Sequence, residues 1–428
     1  MKDIKEKAKN SKTFCIMPFT HIVTKTNGEI KLCCRSLPIS NVKKERILDA
    51  WNTDKLKRIR KQMLEGERPE ECNVCYYLED NNVTSMRQRH NMMKCERGNY
   101  LDVLDNVNGD YSISCYNKSI ELKLNNLCNL KCRMCHPVDS KMWAKDWPLI
   151  STLQKHNEWT YNNVERYNLV ENPYLCEWEN HPSLFEDLEA MKNTLDTIWF
   201  AGGEPLIDPM HYKILNILKS NSENISLQYA TNLTKISFKG KSIIDHWNNF
   251  KKVLVGVSID GLYDVYDYIR TNGNFEVVFN NILDIKKESE ERALPIFVYA
   301  ACTFQAYNIF DLPEIFTFLT DHGIWLNSHR VSYPRFLSSQ VLPKQLKEKV
   351  SEKIMKYLDE IKSRDDLRID IKKNLIRNTE DNLNFLNGDD LSFMWSDFLE
   401  YSYILDKATN SKSLEEIRPE IKEYINGK

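Results

Sequence analysis

The chain has 428 residues, of which 42% are hydrophobic and 28% are charged, a composition typical of a folded protein long enough for one large domain and a smaller one. Its formal net charge of −2 provides no bulk attraction to nucleic acid. No apolar run approaches the roughly 20 residues that span a bilayer, and no apolar stretch follows the charged N-terminus as in a secretory signal, so we expect no membrane association and a cytoplasmic location.

The twelve cysteines are concentrated toward the N-terminus. Eleven of them lie at or before Cys176, and only Cys302 follows. Because thiols stay reduced in the cytosol, short spacings between cysteines favour metal or cluster ligation over disulfides.

A charged lead-in at residues 1–14 precedes a cysteine-bearing module that we place at residues 15–80. The module opens with two short predicted strands around Asn27-Gly28, a common hairpin turn. Apolar residues at roughly helical spacing predict a helix over residues 47–64. The module ends on the pair Cys72-x2-Cys75.

Residues 81–116 are polar with few periodic signals, and we interpret them as a connector to a region of alternating strands and helices at residues 117–340. Strands are predicted at 119–125, 197–202, 225–231, 252–260, 295–304 and 323–331, and helices at 209–220, 276–288 and 312–323. Repeated β–α units predict a parallel sheet with right-handed crossovers, so the expected fold class is α/β, a partial or complete (βα) barrel. In such barrels the chemistry lies at the C-terminal ends of the strands.

Two further segments add to this core. The segment at about 142–185 is longer than a βα crossover needs and is rich in Trp and Tyr. We interpret it as an inserted helical pair with aromatic packing, and the alternative is an aromatic lid over a substrate cleft. Residues 341–428 carry apolar residues at helical spacing and predict a C-terminal helical extension that covers the barrel.

Three cysteines, Cys128, Cys132 and Cys135, lie within eight residues directly after the first predicted strand of this region. Thiolates are the ligands of iron–sulfur clusters, and three of them leave one iron of a [4Fe–4S] cluster open to a small molecule. An open coordination position is what makes a metal site catalytic. Taken alone, the same loop is also compatible with part of a zinc site.

The Cys-x3-Cys-x2-Cys loop resembles the signature of radical S-adenosylmethionine (SAM) enzymes. The resemblance implies that SAM chelates the open iron. It also implies that the reduced cluster cleaves SAM to methionine and a 5′-deoxyadenosyl radical, which abstracts hydrogen from the substrate. The residue before the last cysteine is usually aromatic and contacts adenine in this family, and here it is Met134, whose flexible thioether can fill that role.

Further matches to the same family follow in chain order at the ends of predicted strands. They are Gly202-Gly203-Glu204, which is similar to the family's GGEP motif, then Asn232, then Ser258 with Asp260, and finally Arg270. The resemblance implies that these residues bind SAM, with Glu204 at the amino group and Arg270 suited to the carboxylate. Each motif alone is also compatible with an ordinary strand-end turn, whereas the ordered combination predicts the enzyme family.

Four thiols of the N-terminal module, Cys15, Cys33, Cys72 and Cys75, form a complete ligand set. Zinc and iron–sulfur clusters both accept four cysteines, and either would cross-link the hairpin and the Cys-x2-Cys pair through shared ligation. The spacing and the opening Cys-x-Met-Pro-Phe resemble the SPASM/Twitch type of auxiliary-cluster domain. This resemblance implies a second [4Fe–4S] cluster of the shorter, Twitch form. In most members of that type the module follows the barrel, whereas here it precedes it.

The remaining cysteines are not expected to be ligands. Cys34 neighbours Cys33, and adjacent side chains of a strand point to opposite faces, so only one of the two is expected to bind the metal. The others have no partner at metal spacing: Cys95, Cys115, Cys176 and Cys302.

The sequence predicts an enzyme whose substrate it does not identify. The leading substrate classes are a peptide or protein side chain and a small molecule, with the auxiliary cluster in electron transfer and a flavodoxin or ferredoxin as electron donor. Two alternatives stay open: radical SAM modification of RNA or a nucleotide, and a non-enzymatic binding module held by zinc. Gln305, His329 and Arg330 are polar residues at predicted strand ends and are candidates for substrate contact.

Overall fold

The structure is a computed structural model that describes residues 2–80, 84–95, 100–115, 118–150 and 182–427, together with Asn168 and Glu171. Most of the aromatic insertion at about 142–185 lies outside the described residues, so its two interpretations stay predictions. Within the described ranges, no helix combines the length and the apolar character that crossing a membrane requires.

The main sheet confirms the predicted α/β class. The strands are β1 (His21–Thr24), β2 (Glu29–Lys31), β3 (Pro38–Asn41), β4 (Ser119–Lys123), β5 (Lys131–Cys132), β6 (Thr197–Ala201), β7 (Ser226–Thr231), β8 (Ser237–Phe238), β9 (Lys241–Ser242), β10 (Lys252–Ser258), β11 (Arg270–Thr271), β12 (Ile296–Phe304) and β13 (Trp325–Arg330). In the described part of the chain, nine of them form a sheet of order β13-β12-β10-β7-β6-β4-β1-β2-β3, while β11 pairs with β5 and β8 with β9. This order has two ends, β13 and β3, so the barrel is partial.

The helices agree with the predicted alternation. The α-helices of the described residues are Lys2–Asn10, Met17–Thr20, Ile47–Ala50, Asp54–Leu64, Asn73–Asp80, Met86–Cys95, Trp147–Ile150, Pro182–Met191, Pro209–Leu218, Ile243–Trp247, Tyr263–Ile269, Phe275–Glu291, Leu312–Asp321, Lys344–Ser363, Ile369–Leu386, Trp395–Thr409, Leu414–Ile417 and Pro419–Asn426. The three helices predicted between barrel strands are present. The region after residue 341 is helical, as predicted.

The chain divides into two compact units. The first comprises Met1–Asn125, Cys176–Gln228 and His246–Val253, and the second comprises Asn126–Leu175, Tyr229–Asp245 and Leu254–Lys428. The four N-terminal cysteines therefore belong to the first unit, and the cysteine loop after β4 belongs to the second.

In the first unit, the N-terminal hairpin is part of the main sheet. β1 pairs antiparallel with β2, as the Asn27-Gly28 turn predicts, and Gly28 has the positive φ of +82° that such a turn favours. On its other side β1 pairs parallel with β4, so that His21 lies opposite Ser119. The cysteine module is thus joined to the sheet by backbone hydrogen bonds, a pairing that the sequence pattern does not predict.

The helix predicted over residues 47–64 is interrupted at Thr53. This residue has extended backbone angles, and its side chain accepts a hydrogen bond from the Leu56 amide at 3.3 Å. A hydroxyl at this position satisfies a donor that the first turn of a helix leaves without a partner. Two helices, Ile47–Ala50 and Asp54–Leu64, therefore replace one continuous helix.

In the second unit, a fully buried arginine, Arg133, anchors the cysteine loop. Its Nη2 donates to Asp406 Oδ1 at 2.6 Å, and its Nε donates to the Tyr268 carbonyl at 2.8 Å. The guanidinium carbon lies 3.4 Å from the centre of the Tyr268 ring. The Tyr401 hydroxyl donates to the Arg133 carbonyl at 2.8 Å. Because a buried charge requires a paired partner, the loop takes its position from residues at least 135 positions away in the chain.

We expect Asp406→Asn to lower the free energy of unfolding by about 3–5 kcal/mol, because it leaves the Arg133 guanidinium buried without its charged partner. The matched control is Asp366→Asn, which removes an exposed ion pair with Arg364 and is expected to cost less than about 1 kcal/mol. Denaturant unfolding of the two variants measures the difference. Equal losses would contradict an anchoring role for Asp406.

Candidate metal centres

The three thiols of the cysteine loop lie in one buried apolar cluster of the second unit. Cys128 and Cys132 are buried, and Met134 and Cys135 pack against them. Cys132 belongs to β5, which pairs antiparallel with β11 and places Cys132 opposite Arg270. Met134, the residue that the family resemblance assigns to adenine, thus packs beside the thiols.

Negative charge is favoured more at Cys132 than at Cys135. A hydrogen bond from the Cys135 thiol lowers the pKa of Cys132, and nearby Arg270 adds to the lowering against the effect of burial. The Arg270 Nη1 group donates to Cys132 Sγ at 3.5 Å. The pKa of Cys135 is raised well above its usual value, because its hydrogen bond to Cys132 and its burial both favour the neutral thiol. Since the thiolate is the form that binds metals, Cys132 is the better prepared ligand of the two.

Arg270 is held in place by Asp260, which follows the C-terminal end of β10. Its Nη2 lies 2.6 Å from Asp260 Oδ2. Asp260 is fixed in turn, because its Oδ1 accepts from the Thr303 amide at 2.7 Å and its carbonyl accepts from Asn308 Nδ2 at 2.7 Å. Burial alone would lower the pKa of Arg270, but Asp260 and Cys132 outweigh it and raise that pKa, so the guanidinium stays charged. Three predicted site residues are therefore in direct contact, because Arg270 contacts both Cys132 and Asp260.

Asn232, just after β7, contacts the start of the cysteine loop. Its Nδ2 lies 3.1 Å from Asn129 Oδ1 and 3.8 Å from Cys128 Sγ. Its Oδ1 accepts from the Thr234 amide at 3.0 Å, and the Asn129 amide group donates to the Thr234 hydroxyl at 2.8 Å. These bonds hold the loop against the residues that follow β7. Ser258, another predicted SAM contact, is half-buried at the C-terminal end of β10.

The Gly202-Gly203-Glu204 turn follows β6 in the first unit and is held against the end of β4. Gly202 has φ of +114°, and a Cβ atom there would lie 3.0 Å from the Asn125 carbonyl oxygen, so the site requires glycine. The Gly203 amide donates to the same oxygen at 2.9 Å. Buried Glu204 closes the turn, because its Oε1 accepts from the Leu206 amide at 3.0 Å.

The four N-terminal cysteines line one small cavity in the first unit. Cys15 precedes the helix Met17–Thr20, and Cys33 follows β2. Cys72 ends a short 3-10 turn, and Cys75 lies in the helix that follows it. Within the described ranges, no group of three His, Cys, Asp or Glu side chains is arranged to hold a single metal ion, and the four sulfurs instead surround a cavity. Four thiols around one cavity are a donor set that fits a [4Fe–4S] cluster.

Burial favours the neutral form of three of these thiols, Cys15, Cys33 and Cys72. Burial raises the pKa of Cys15 to about 12 and that of Cys33 to about 11. The pKa of Cys72 is also raised, by burial first and by the other three thiols next. Binding of a positively charged centre therefore releases protons from this site.

Two of the predicted non-ligands, Cys34 and Cys302, lie away from the cavity. Cys34 is exposed and is not among the residues that line the cavity. Cys302 is buried in β12, where burial raises its pKa well above the usual value. Cys176 lies outside the described residues.

Five further residues line the cavity and were not singled out by the sequence analysis: Arg35, Ser36, Met86, Arg87 and His90. The last three lie on the helix Met86–Cys95, within the segment interpreted as a connector. The available signal was the spacing of Met86 and His90, which places residues four apart on one helix face. A polar segment without cysteines at ligand spacing gave no reason to connect that face to the thiols.

Two family models match the sequence. Residues 122–299 match the Radical SAM superfamily, and residues 15–76 match the iron–sulfur cluster-binding domain called SPASM. The first range contains the cysteine loop and every predicted SAM contact. The second contains the four N-terminal cysteines.

A curated relative is the cysteine-type anaerobic sulfatase-maturating enzyme of Clostridium novyi (strain NT), which is 33% identical over 101 residues. The aligned stretch covers 22% of this chain and 25% of that enzyme, so the chain spans a quarter of the relative's length. Similar solved structures include anSMEcpe with bound AdoMet and the Cp18Cys peptide, at 14% identity and a TM-score of 0.32, covering 68% of this chain and 98% of that chain. Another is Streptococcus suis SuiB bound to the precursor peptide SuiA, at 11% identity and a TM-score of 0.34, covering 73% of this chain and 63% of that chain.

The matched ranges contain all seven cysteines that the spacing predicts as ligands, and they occur in the predicted order, with the auxiliary domain first. The iron–sulfur alternative for the N-terminal module is thereby favoured over zinc. Residues 122–299 are thus a radical SAM domain and residues 15–76 a SPASM-type iron–sulfur domain, and the cofactors that these domains indicate are [4Fe–4S] clusters and SAM.

Proposed function

We propose that the protein cleaves SAM reductively at a [4Fe–4S] cluster held by Cys128, Cys132 and Cys135, and that it abstracts hydrogen from a peptide or protein side chain. The observation that supports this most directly is the setting of the three thiols, which lie in one buried cluster with charged Arg270 beside Cys132. Three ligands leave one iron for SAM. When bound, the cluster and SAM supply a 5′-deoxyadenosyl radical for this chemistry.

Arg270 is the residue that we assign to the SAM carboxylate. Its Nη1 and Nη2 groups already contact Cys132 and Asp260. Its Nε is buried and has no hydrogen-bond partner among the described residues. A buried donor without a partner costs about 1–3 kcal/mol, so a carboxylate placed there would be stabilised. Asp260 orients the guanidinium before any ligand binds, which lowers the cost of binding.

The other predicted SAM contacts have complementary assignments. The turn at Gly202 and Gly203 lets backbone groups approach the amino group of SAM, with Glu204 as its charged partner. Met134 packs against adenine, and Asn232 and Ser258 offer polar groups at the ends of β7 and β10.

The proposed substrate class is supported by the curated relative, whose name describes maturation of a sulfatase, which is a protein. Gln305, which follows β12, is fully buried, and both polar atoms of its side chain lack hydrogen-bond partners among the described residues. The backbone amide of Gln305 donates to Asn308 Oδ1 at 2.8 Å, and Asn308 Nδ2 donates to the Asp260 carbonyl. We assign Gln305 to a polar group of the substrate. A small molecule is the alternative substrate class.

The four-cysteine centre is assigned to electron transfer. Each iron of a cluster held by Cys15, Cys33, Cys72 and Cys75 would have a cysteine ligand, so no position would be left for the substrate. A flavodoxin or ferredoxin in the cytoplasm is the proposed external electron donor.

Reductive SAM cleavage tests this function directly. We expect the anaerobically reconstituted protein, given SAM and a strong reductant, to form 5′-deoxyadenosine. The variant Cys128→Ala/Cys132→Ala/Cys135→Ala should lose this activity and the iron of one cluster, because it lacks the three thiolates that hold that cluster. Cys34→Ala, which changes an exposed thiol, should behave as wild type. The proposal would be refuted if protein with an intact cluster formed no 5′-deoxyadenosine, or if the protein contained zinc in place of iron.

Replacing Arg270 by Lys keeps its charge but removes the fork of parallel donors. We expect Arg270→Lys to weaken SAM binding by about tenfold to a hundredfold, the effect of losing one charged hydrogen bond. Equilibrium dialysis with labelled SAM measures the dissociation constant, and iron content shows whether the cluster is retained. The control Arg292→Lys alters a more exposed ion pair with Asp245. SAM binding at wild-type strength in Arg270→Lys would contradict the assignment.

The turn at Gly202 can be tested against a glycine of similar conformation. Gly66 also has a positive φ, +84°, but a Cβ there would contact nothing within 4 Å. We expect Gly66→Ala to lower the free energy of unfolding by about 1–2 kcal/mol and to leave SAM binding unchanged. Gly202→Ala adds a clash with Asn125, so it should be more destabilising and should weaken SAM binding. If both variants bind SAM equally well, the turn does not contribute to the SAM site.

A further inference from the structure

The helix Met86–Cys95 closes one side of the cavity that the four N-terminal thiols surround. Met86, Arg87 and His90 of this helix line the cavity together with the thiols. Neither the cysteine spacing nor the matched SPASM range, which ends at residue 76, includes this helix. Its residues are therefore additional to the ligand set.

The same helix forms hydrogen bonds with the backbone on both sides of Cys15. Asn91 Nδ2 donates to the Phe14 carbonyl at 2.9 Å, and the Ile16 amide donates to Asn91 Oδ1 at 3.0 Å. Arg87 Nη1 donates to the same Phe14 carbonyl at 2.7 Å. Since Phe14 and Ile16 flank Cys15, three hydrogen bonds from one helix fix the position of this thiol.

Arg87 also places a positive charge at the cavity. Its side chain is only 9% exposed and pairs with Glu79, with Nη2 at 2.5 Å from Oε2 and Nε at 2.9 Å from Oε1. Arg87 lines the cavity and Glu79 does not, so the positive end of the pair faces the thiols.

We propose that Arg87 and Asn91 are positioning residues of the auxiliary centre: Arg87 raises the reduction potential of the cluster, and Asn91 holds Cys15 in the ligand set. The inference rests on the proposed ligation by the four N-terminal cysteines. One-electron reduction adds a negative charge to a cluster, and a nearby positive charge stabilises that state. Net charge and hydrogen bonding around the sulfurs are the means by which proteins set cluster potentials. The auxiliary centre is thereby poised to accept an electron.

A redox titration of the holoenzyme, followed by EPR of the signal that SAM does not change, tests the role of Arg87. Dithionite supplies the electron. For Arg87→Gln we expect about a tenfold lower ratio of reduced to oxidised cluster at a fixed potential, a negative shift of about 59 mV for a one-electron couple. In Arg87→Lys, which keeps the positive charge, the reduction potential should shift less than in Arg87→Gln.

The matched control is Arg68→Gln. Arg68 lies 5.2 Å from the Tyr76 ring, which Arg87 contacts at 5.7 Å, but it pairs with exposed Asp80 and does not line the cavity. In Arg68→Gln the auxiliary cluster should have the same reduction potential as in the wild-type protein. An unchanged potential in Arg87→Gln, or an equal shift in Arg68→Gln, would overturn the proposal for Arg87. Absence of a second cluster signal in the wild-type protein would refute the ligation itself, independently of SAM cleavage at the other centre.

Loss of iron to a chelator under anaerobic conditions tests Asn91. Asn91→Leu removes both hydrogen bonds beside Cys15, and we expect iron to leave the auxiliary centre about tenfold faster. Arg89→Leu, on an exposed position of the same helix, should lose iron at the wild-type rate. Equal rates in Asn91→Leu and wild type would overturn the role of Asn91.

Discussion

A fully buried guanidinium fixes the reactive loop of this protein. Arg133 is bonded to Asp406 and to the Tyr268 carbonyl, and its ring contact with Tyr268 is close. Because a buried charge is tolerated only when it is paired, the cysteine loop and the helix Trp395–Thr409 depend on each other for their positions. Arg270 follows Tyr268 by two residues and is thereby brought opposite Cys132. One interaction thus serves both the stability of the second unit and the geometry of its thiols.

Local sequence signals predicted much of the architecture. Apolar residues bounded by turns marked β4, β6, β7, β10, β12 and β13, because the buried positions of a strand must be apolar. The spacing of Cys128, Cys132 and Cys135 predicted one ligand set, because these thiols lie on one short loop, and the pair Cys72-x2-Cys75 marked the other. The residues alone left zinc and iron–sulfur open for the N-terminal module, since both accept four thiolates. The match to the SPASM domain, and not the spacing, decides between them.

Features that depend on distant partners were not predictable. Arg133 and Asp406 are 273 positions apart, and neither stands out in its own segment. The pairing of β1 with β4 is another case, because a strand of only four residues carries no information about which neighbour it will pair with. The helix Met86–Cys95 was interpreted as part of a connector since its contacts are with Phe14 and Ile16, far back in the chain. At Thr53 the hydroxyl cap outweighed helical periodicity.

Two clusters with different ligation are the defining feature of the proposed chemistry. EPR spectroscopy of the anaerobically reduced full-length protein, with and without SAM, tests this most directly. We expect two [4Fe–4S] signals, of which one changes on addition of SAM and is absent from the variant lacking Cys128, Cys132 and Cys135. The second should be insensitive to SAM and should disappear when Cys72 and Cys75 are replaced by Ala. A single signal, or two signals of which neither responds to SAM, would contradict a two-cluster radical SAM enzyme.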